Sequence, residues 1–224
     1  FKTATAHTNS TANTHTSATA TVSTTNTNPY PPYEGTLRLN DPLSDNNQGH
    51  HWQVFSDGNA GNSCQFVDGA YHLVEAPKND GICFASNTDF NDFTFQINMT
   101  FVQAGQAYDG GGIVIRGNGN NYYYFEVFES GRYTVMSCTN NTCNHTLVDG
   151  LSQALPSFHS GLNQTNILAI EVKGFSFNLY VNGVQVGGTV IDASQASDHG
   201  MIGVFGAAND ATTEVEYKNA KVWA

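Results

Sequence analysis

Residues 92–102 read DFTFQINMTFV, so Phe93, Phe95, Ile97, Met99 and Phe101 alternate with Thr94, Gln96, Asn98 and Thr100. A helix would scatter the five apolar side chains around its axis. A strand puts them all on one face, because successive side chains point to opposite sides. The run therefore predicts a half-buried strand with one face in a core. From Thr36 onward the chain repeats this pattern in shorter runs, punctuated by Asp68-Gly69, Asn118-Gly119, Ser130-Gly131 and Asn182-Gly183. Asn-Gly is the strongest short hairpin signal, because both central positions of its tight turn need a positive φ. The one helix-like stretch, DASQASD after Ile191, is too short to hold a helix in water. More than ten short strands at this turn spacing predict an all-β fold: an antiparallel two-sheet sandwich of jelly-roll kind.

The first thirty-three residues read differently. Lys2 is the only charged residue before Glu34, and no aromatic lies between Phe1 and Tyr30. Such a Thr/Ala/Asn/Ser tract cannot bury enough apolar surface to offset its ordering entropy. Residues 1–33 are therefore expected to form a disordered linker or stalk, and residues 34–224 the folded domain. A frayed terminus is the plainer alternative. The prolines of Pro29-Tyr30-Pro31-Pro32 stiffen the chain toward polyproline II where the domain begins. Ser/Thr-rich tracts with Pro also suit O-glycosylated stalks. N-glycan sequons start at Asn9, Asn98, Asn140, Asn144 and Asn163. A chain opening on Phe1 is expected to be a fragment or a processed form.

Charge narrows the partners. The chain has a formal net charge of -11 with only 8 Lys and Arg residues, which argues against nucleic acid and anionic membrane. No run is long enough for a transmembrane helix, so no direct membrane insertion is expected within this chain. The four cysteines fall into two short-range pairs, Cys64 with Cys83 and Cys138 with Cys143, each bracketing a turn between strand-like runs. Neither has zinc spacing, so both are expected to be disulfides on neighbouring strands, which points outside the cytoplasm.

The strings DGAYHL, DFTFQINMTF, GGIVIRG, YYYFEV, NILAIEVKG, LYVNGVQV, GMIGVFG and EVEYKNAKVWA together resemble concanavalin A-like sandwiches of the laminin-G and family-16-glucanase-related kind. The resemblance runs from Trp52 to Trp223 and implies the fold more specifically than the function. The lead-in NPYPPYEGTLRLNDPLSDN resembles the extracellular half of bacterial membrane-anchored Ser/Thr kinases. That implies a sensor or ligand-binding module lifted off the membrane, attached through an upstream membrane span.

Retaining glucanases of this fold carry E-x-D-x-x-E on one strand, where alternation puts the first glutamate and the aspartate on one face. Here the nearest string is Glu126-Val127-Phe128-Glu129, which lacks the aspartate and sends its two acids to opposite faces. No catalytic residue is assigned. His50 and His51 are adjacent and no H-x-H or H-E-x-x-H occurs, which argues against a transition metal. No cofactor is required by the sequence; calcium is the candidate ion, with Asp57, Asn59, Asp68 and Asp109 as ligands, against an ordinary-turn reading of the same residues.

If Ile113, Ile115, Tyr123, Phe125 and Val127 face the core, the opposite face carries Arg116, Tyr122, Tyr124, Glu126, Arg132 and Thr134. Aromatic rings beside charged groups are what sugars need, and Arg116, Tyr122, Tyr124, Glu126 and Arg132 are the expected ligand-binding residues. The expected function is an extracellular or cell-surface module that binds a glycan or surface polysaccharide, or senses a ligand. A glycoside-hydrolase-related enzyme domain and a self-associating structural or adhesion module are the alternatives.

Overall fold

Tight turns shape the chain as its sequence requires. Asp68-Gly69 and Asn182-Gly183 both take positive φ at the two central positions, 48° and 77° in the first and 52° and 77° in the second. Each folds one strand back onto the next. The structure, a computed structural model, describes residues 26–58, 61–105 and 107–224, and among these residues there is no helix.

The strands form two antiparallel sheets. The nine-stranded sheet runs β13 (Val184–Ile191), β12 (Ser176–Val181), β11 (Thr165–Lys173), β6 (Phe93–Gln103), β15 (Thr213–Trp223), β4 (Ala70–Glu75), β3 (Ser63–Val67), β2 (Phe55–Ser56), with β1 (Leu37–Asp41) also on β15. The six-stranded sheet runs β10 (Thr142–Gly150), β9 (Tyr133–Thr139), β8 (Asn121–Phe128), β7 (Gly110–Asn118), β14 (Met201–Ala207), β5 (Asp80–Phe84). Their inner faces make one core. β6 supplies Phe93, Phe95, Ile97, Met99 and Phe101; β7 and β8 answer with Ile113, Ile115, Tyr123, Phe125 and Val127. This is the alternation read from the sequence.

The sheets approach closely at Gly110-Gly111-Gly112. A Cβ on Gly111 would stand 2.9 Å from Met99 Sδ and 3.2 Å from Val215 of the opposite sheet. That proximity lets the fully buried Tyr217 of β15 reach across the core. Its hydroxyl donates to the Phe205 carbonyl at 2.6 Å and accepts the Gly112 N–H at 2.9 Å. Gly112 and Phe205 are register partners in β7 and β14.

Three expectations are corrected. Cys64 and Cys83 are bonded, as are Cys138 and Cys143. The first pair, however, is not on neighbouring strands: Cys64 lies on β3 of one sheet and Cys83 on β5 of the other, so the bond staples the two sheets along one side. A short sequence separation of 19 residues concealed a change of sheet, because the β4–β5 connection crosses between them. The domain boundary also moves. Residues 26–32 lie as a strap on the outer face of the nine-stranded sheet. The Asn28 amide donates to Thr94 Oγ1 at 2.9 Å, the Tyr30 hydroxyl to Gln96 Oε1 at 2.9 Å, and the Tyr30 ring packs 4.8 Å from that of Tyr180. Trp223 Nε1 donates to the Asn26 carbonyl at 3.0 Å. Residues 1–25, expected as linker with the sequon at Asn9, lie outside the described residues. The third correction, the placement of Arg116, belongs to the site.

Two variants test these contacts. Tyr30→Ala should destabilise the domain by about 2–4 kcal/mol in urea titration, the scale of emptying a buried aromatic site. An unchanged midpoint would show that the strap does not dock in solution. Tyr217→Phe strands the Gly112 N–H in the core and should cost about 1–3 kcal/mol by the same measurement; a neutral result would mean that the two sheets close the gap on their own.

Candidate functional site

The outer face of the six-stranded sheet is built from the side chains that alternate away from the core. β8 contributes Tyr122, Tyr124 and Glu126, β14 contributes Phe205, and β5 contributes Asp80, Ile82 and Phe84, as the register pairs Phe205↔Ile82 and Ala207↔Asp80 require. Between them β7 contributes almost nothing, because Gly110 and Gly112 carry no side chain. The floor is bare, and its neighbours lean over it.

Tyr124 and Phe205 lean from opposite sides and stack with centroids 4.5 Å apart and planes 3° from parallel. One face of Tyr124 is therefore filled by protein, so the expectation of a free stacking platform there is corrected. Burial, with Glu126, Asp80 and Tyr122 nearby, pushes its hydroxyl pKa well up. Tyr122 meets Phe84 edge-on at 6.3 Å, and its hydroxyl is 3.2 Å from Cys143 Sγ.

Glu126 turns the other way, over Gly110, where any Cβ would collide with its carboxyl oxygen. It is 6% exposed and makes no side-chain hydrogen bond among the described residues. Burial first, and Asp80 second, push its pKa up to about 8. Asp80 is exposed on β5, facing Ala207, which in turn faces Gly110. Glu126, Gly110, Ala207 and Asp80 thus form a row across four strands.

At this end two loops rise beside the row. Tyr108, 52% exposed, sets its ring edge-on to Phe128 at 6.2 Å. Arg132 covers that ring at 5.8 Å and donates to the Tyr108 hydroxyl at 3.2 Å. A depression of about 430 Å³ opens here, lined by Lys78, Asn79, Asp80, Tyr108 and Ala207–Asn209. Asp109 holds its walls in place: one carboxylate oxygen accepts the Gly105 N–H at 2.6 Å and the other the Asn209 N–H at 2.8 Å.

Arg116 does not join this face. A register shift between Ile115 and Asn118 and a φ of 53° at Arg116 interrupt the alternation of β7. The guanidinium, 1% exposed, turns to the end of the sandwich and donates through Nε to the Asn91 carbonyl at 3.0 Å. An extra residue in a strand re-aims the side chains beyond it. Of the five expected ligand-binding residues, the structure gathers Glu126 and Arg132 at one end, leaves Tyr122 and Tyr124 along the sheet, and sets Arg116 apart.

The candidate calcium ligands are not gathered either. Asp57 and Asp68 lie beyond opposite ends of β3, Asp109 braces the six-stranded sheet, and Asn59 lies outside the described residues. Among the described residues no three His, Cys, Asp or Glu side chains group as a metal set. The sequons at Asn140, Asn144 and Asn163 are exposed, whereas Asn98 is half-buried on β6. Asp80, Tyr108 and Phe205 were missed by sequence reading. The signal for the site was the Gly-Gly-Gly run after Asp109, whose outward positions leave a gap in the sheet surface.

The family model described as "3-keto-alpha-glucoside-1,2-lyase-like domain" matches residues 41–223. The chain belongs to this family. Solved structures similar to this chain in fold include the carbohydrate binding module CBM66 from Bacillus subtilis, with a TM-score of 0.59 and 16% identity over 77% of this chain and 95% of that one. A Bacillus licheniformis beta-glucanase superposes with a TM-score of 0.55 and 14% identity, over 83% of this chain and 97% of that one. A Bacillus subtilis protein of unknown function with a galectin-like fold gives 0.63 and 12%, over 85% and 96%. These likenesses show the fold, a concanavalin A-like or galectin-like sandwich. No curated protein matches the chain. The family match starts at Asp41, downstream of the strap.

The site makes stability depend on pH. Glu126 rises from 4.5 to about 8 on folding, and Glu75, buried on β4 with Asp80 and Asp57 nearby, rises to about 7, burial being the larger cause in both. Each carboxyl binds its proton more tightly folded than unfolded. Stability is therefore complete below about pH 4.5 and falls as pH rises through the folded values. Glu126→Gln removes one share of that loss. The variant should match the parent near pH 4 and gain on it by up to about 1.4 kcal/mol per pH unit toward pH 8, in urea titrations at several pH values. Parallel pH curves would show that Glu126 is ionised in the fold.

Proposed function

We propose that this domain recognises carbohydrate at the Glu126–Asp80 end of the six-stranded sheet, and that it does so as a binding module outside the cytoplasm. The observation that carries the reading is the Glu126 carboxyl: it is buried beside an open depression, has no hydrogen-bond partner among the described residues, and lies over a glycine that makes room for it. A carboxyl that the fold leaves without a side-chain hydrogen bond is open to a ligand hydroxyl. Holding its proton near neutral pH, Glu126 both donates and accepts, while Asp80 accepts and Arg132 and Lys78 donate. Tyr108 offers the exposed ring that sugar faces pack on. The two disulfides and the carbohydrate-binding relative in fold support an extracellular setting. No helix among the described residues is long and apolar enough to cross a membrane. In this reading the Thr-rich stretch upstream is a stalk that carries the module at the cell surface.

A second reading has its own support. The family's printed description names a lyase acting on a 3-keto-alpha-glucoside. A carboxyl that keeps its proton to about pH 8, with a solvated carboxylate in the same row, has the makings of a general acid. In that reading Glu126 would protonate a leaving oxygen.

The two are separated with the full chain on a glycan array, followed by calorimetry with the best ligand and a turnover assay on a 3-keto-alpha-glucoside. Tyr108→Ala should weaken binding by about 1–3 kcal/mol, the worth of one aromatic contact, without altering the melting temperature. Binding untouched by Tyr108→Ala and Glu126→Gln would remove this end of the sheet as the site. Turnover that vanishes in Glu126→Gln would establish the second reading.

A further inference from the structure

Arg116, set apart by the bulge in β7, builds something at the other end of the sandwich. Its Nη1 donates to the Ser197 carbonyl at 3.4 Å and its guanidinium lies 5.7 Å from the Phe175 ring centroid, so it supports the 192–199 loop and the β11–β12 turn from beneath. The loop is locked from a second side. The Asp192 carboxylate, fully buried, accepts the Tyr123 hydroxyl at 2.7 Å, the Ser194 N–H at 2.8 Å and the Ala196 N–H at 3.2 Å. The Ser197 N–H in turn donates to the Tyr123 hydroxyl at 3.2 Å.

Rigid below, the loop is unengaged above. Gln195, held at a φ of 53°, has no hydrogen bond on its side-chain amide among the described residues. Asn121 uses its Oδ1 for the Asn140 N–H at 3.0 Å and leaves its amide N–H groups open. Asp198 has only His199 Nε2, at 3.8 Å. These three side chains and the half-buried Phe175 border a depression of about 430 Å³ that also takes in Asn118 and Ser197.

We propose that this depression is a second carbohydrate subsite, which takes adjacent hydroxyls of an uncharged sugar on the amides of Asn121 and Gln195 and the carboxylate of Asp198, with Phe175 as the apolar wall. Amide and carboxylate pairs bracket vicinal hydroxyls as donor and acceptor together. Preorganisation by buried Arg116 and Asp192 spares the ligand the cost of ordering the loop. Asp198 borders the space and repels an acidic sugar, and Asp89 holds the neighbouring His199 through Nδ1 at 2.8 Å. Arg116 lies behind the wall, held by the Asn91 and Ser197 carbonyls, and its charge offsets that of Asp198 only in part. The subsite shares a ligand class with the Glu126–Asp80 end and nothing of its residues, and Arg116 acts in it as a positioning residue.

The test is a titration of the isotope-labelled full chain with laminarihexaose and with xylohexaose, read by amide NMR. The expected result is movement of the Asn121 and Gln195 side-chain amides and of backbone residues 195–198 with at least one sugar. Gln195→Ala and Asp198→Ala, both at exposed positions, should weaken that response about ten-fold at unchanged melting temperature. Resonances around Glu126 and Tyr108 should titrate independently of these variants. Shifts confined to the Glu126 end would overturn the second subsite and leave the first. Shifts confined to the Asn121–Gln195 end would do the reverse. A sandwich silent at both ends with both sugars would overturn this subsite for uncharged glycans together with the site at the Glu126 end.

Discussion

The Tyr217 hydroxyl sits where the two sheets come closest, and the site depends on it. By taking the Gly112 N–H and the Phe205 carbonyl it ties β7 to β14 from inside the core. These two residues form the floor and one wall of the outer face. Phe205 stacks on Tyr124 across β7, and Glu126 can fold over the sheet only because Gly110 carries no side chain. The three glycines thus serve both faces of one strand: inward, Gly111 admits the opposite sheet; outward, Gly110 and Gly112 open the surface. Burial raises the Tyr217 pKa far above its ordinary value, so the hydroxyl stays neutral and continues to bridge.

Much of this was readable from period-two alternation. The face taken by each residue from Ile113 to Ile115 and from Tyr122 to Val127 follows directly from it, because a ladder without irregularities leaves no other choice. Arg116 escaped because one inserted residue resets the parity and a bulge has no reliable sequence mark. The Cys64–Cys83 bond was legible as a bond but not as a link between sheets, since the sequence does not say where a connection crosses the core. Contacts between strands far apart in the chain, such as Tyr124 with Phe205, were out of reach for the same reason. Tyr30 was misassigned because composition describes a segment as a whole, and one ring among polar neighbours is enough to dock it.

Around Asp80 the sandwich also sets buried carboxyls near one another, with Lys78 and Arg132 only at the rim. Glu75 reaches its place from the core side of the sandwich and Glu126 from the outer side, and Asp80 raises both. Protons take the role that counter-ions would otherwise fill. Such an arrangement is more costly to a fold than a neutral patch of equal shape.

The strap has a mechanical side. A force applied at Asn26 would pass through the strap to Trp223, Thr94 and Gln96, all on the nine-stranded sheet. The load is shared among central strands of that sheet, where neighbouring ladders resist sliding together. The six-stranded sheet lies outside this path and is reached through the core, the Cys64–Cys83 staple and the connections that cross between the sheets. A pull applied at Asn26 would therefore be borne first by one half of the sandwich, and the half with the glycine floor would feel it second.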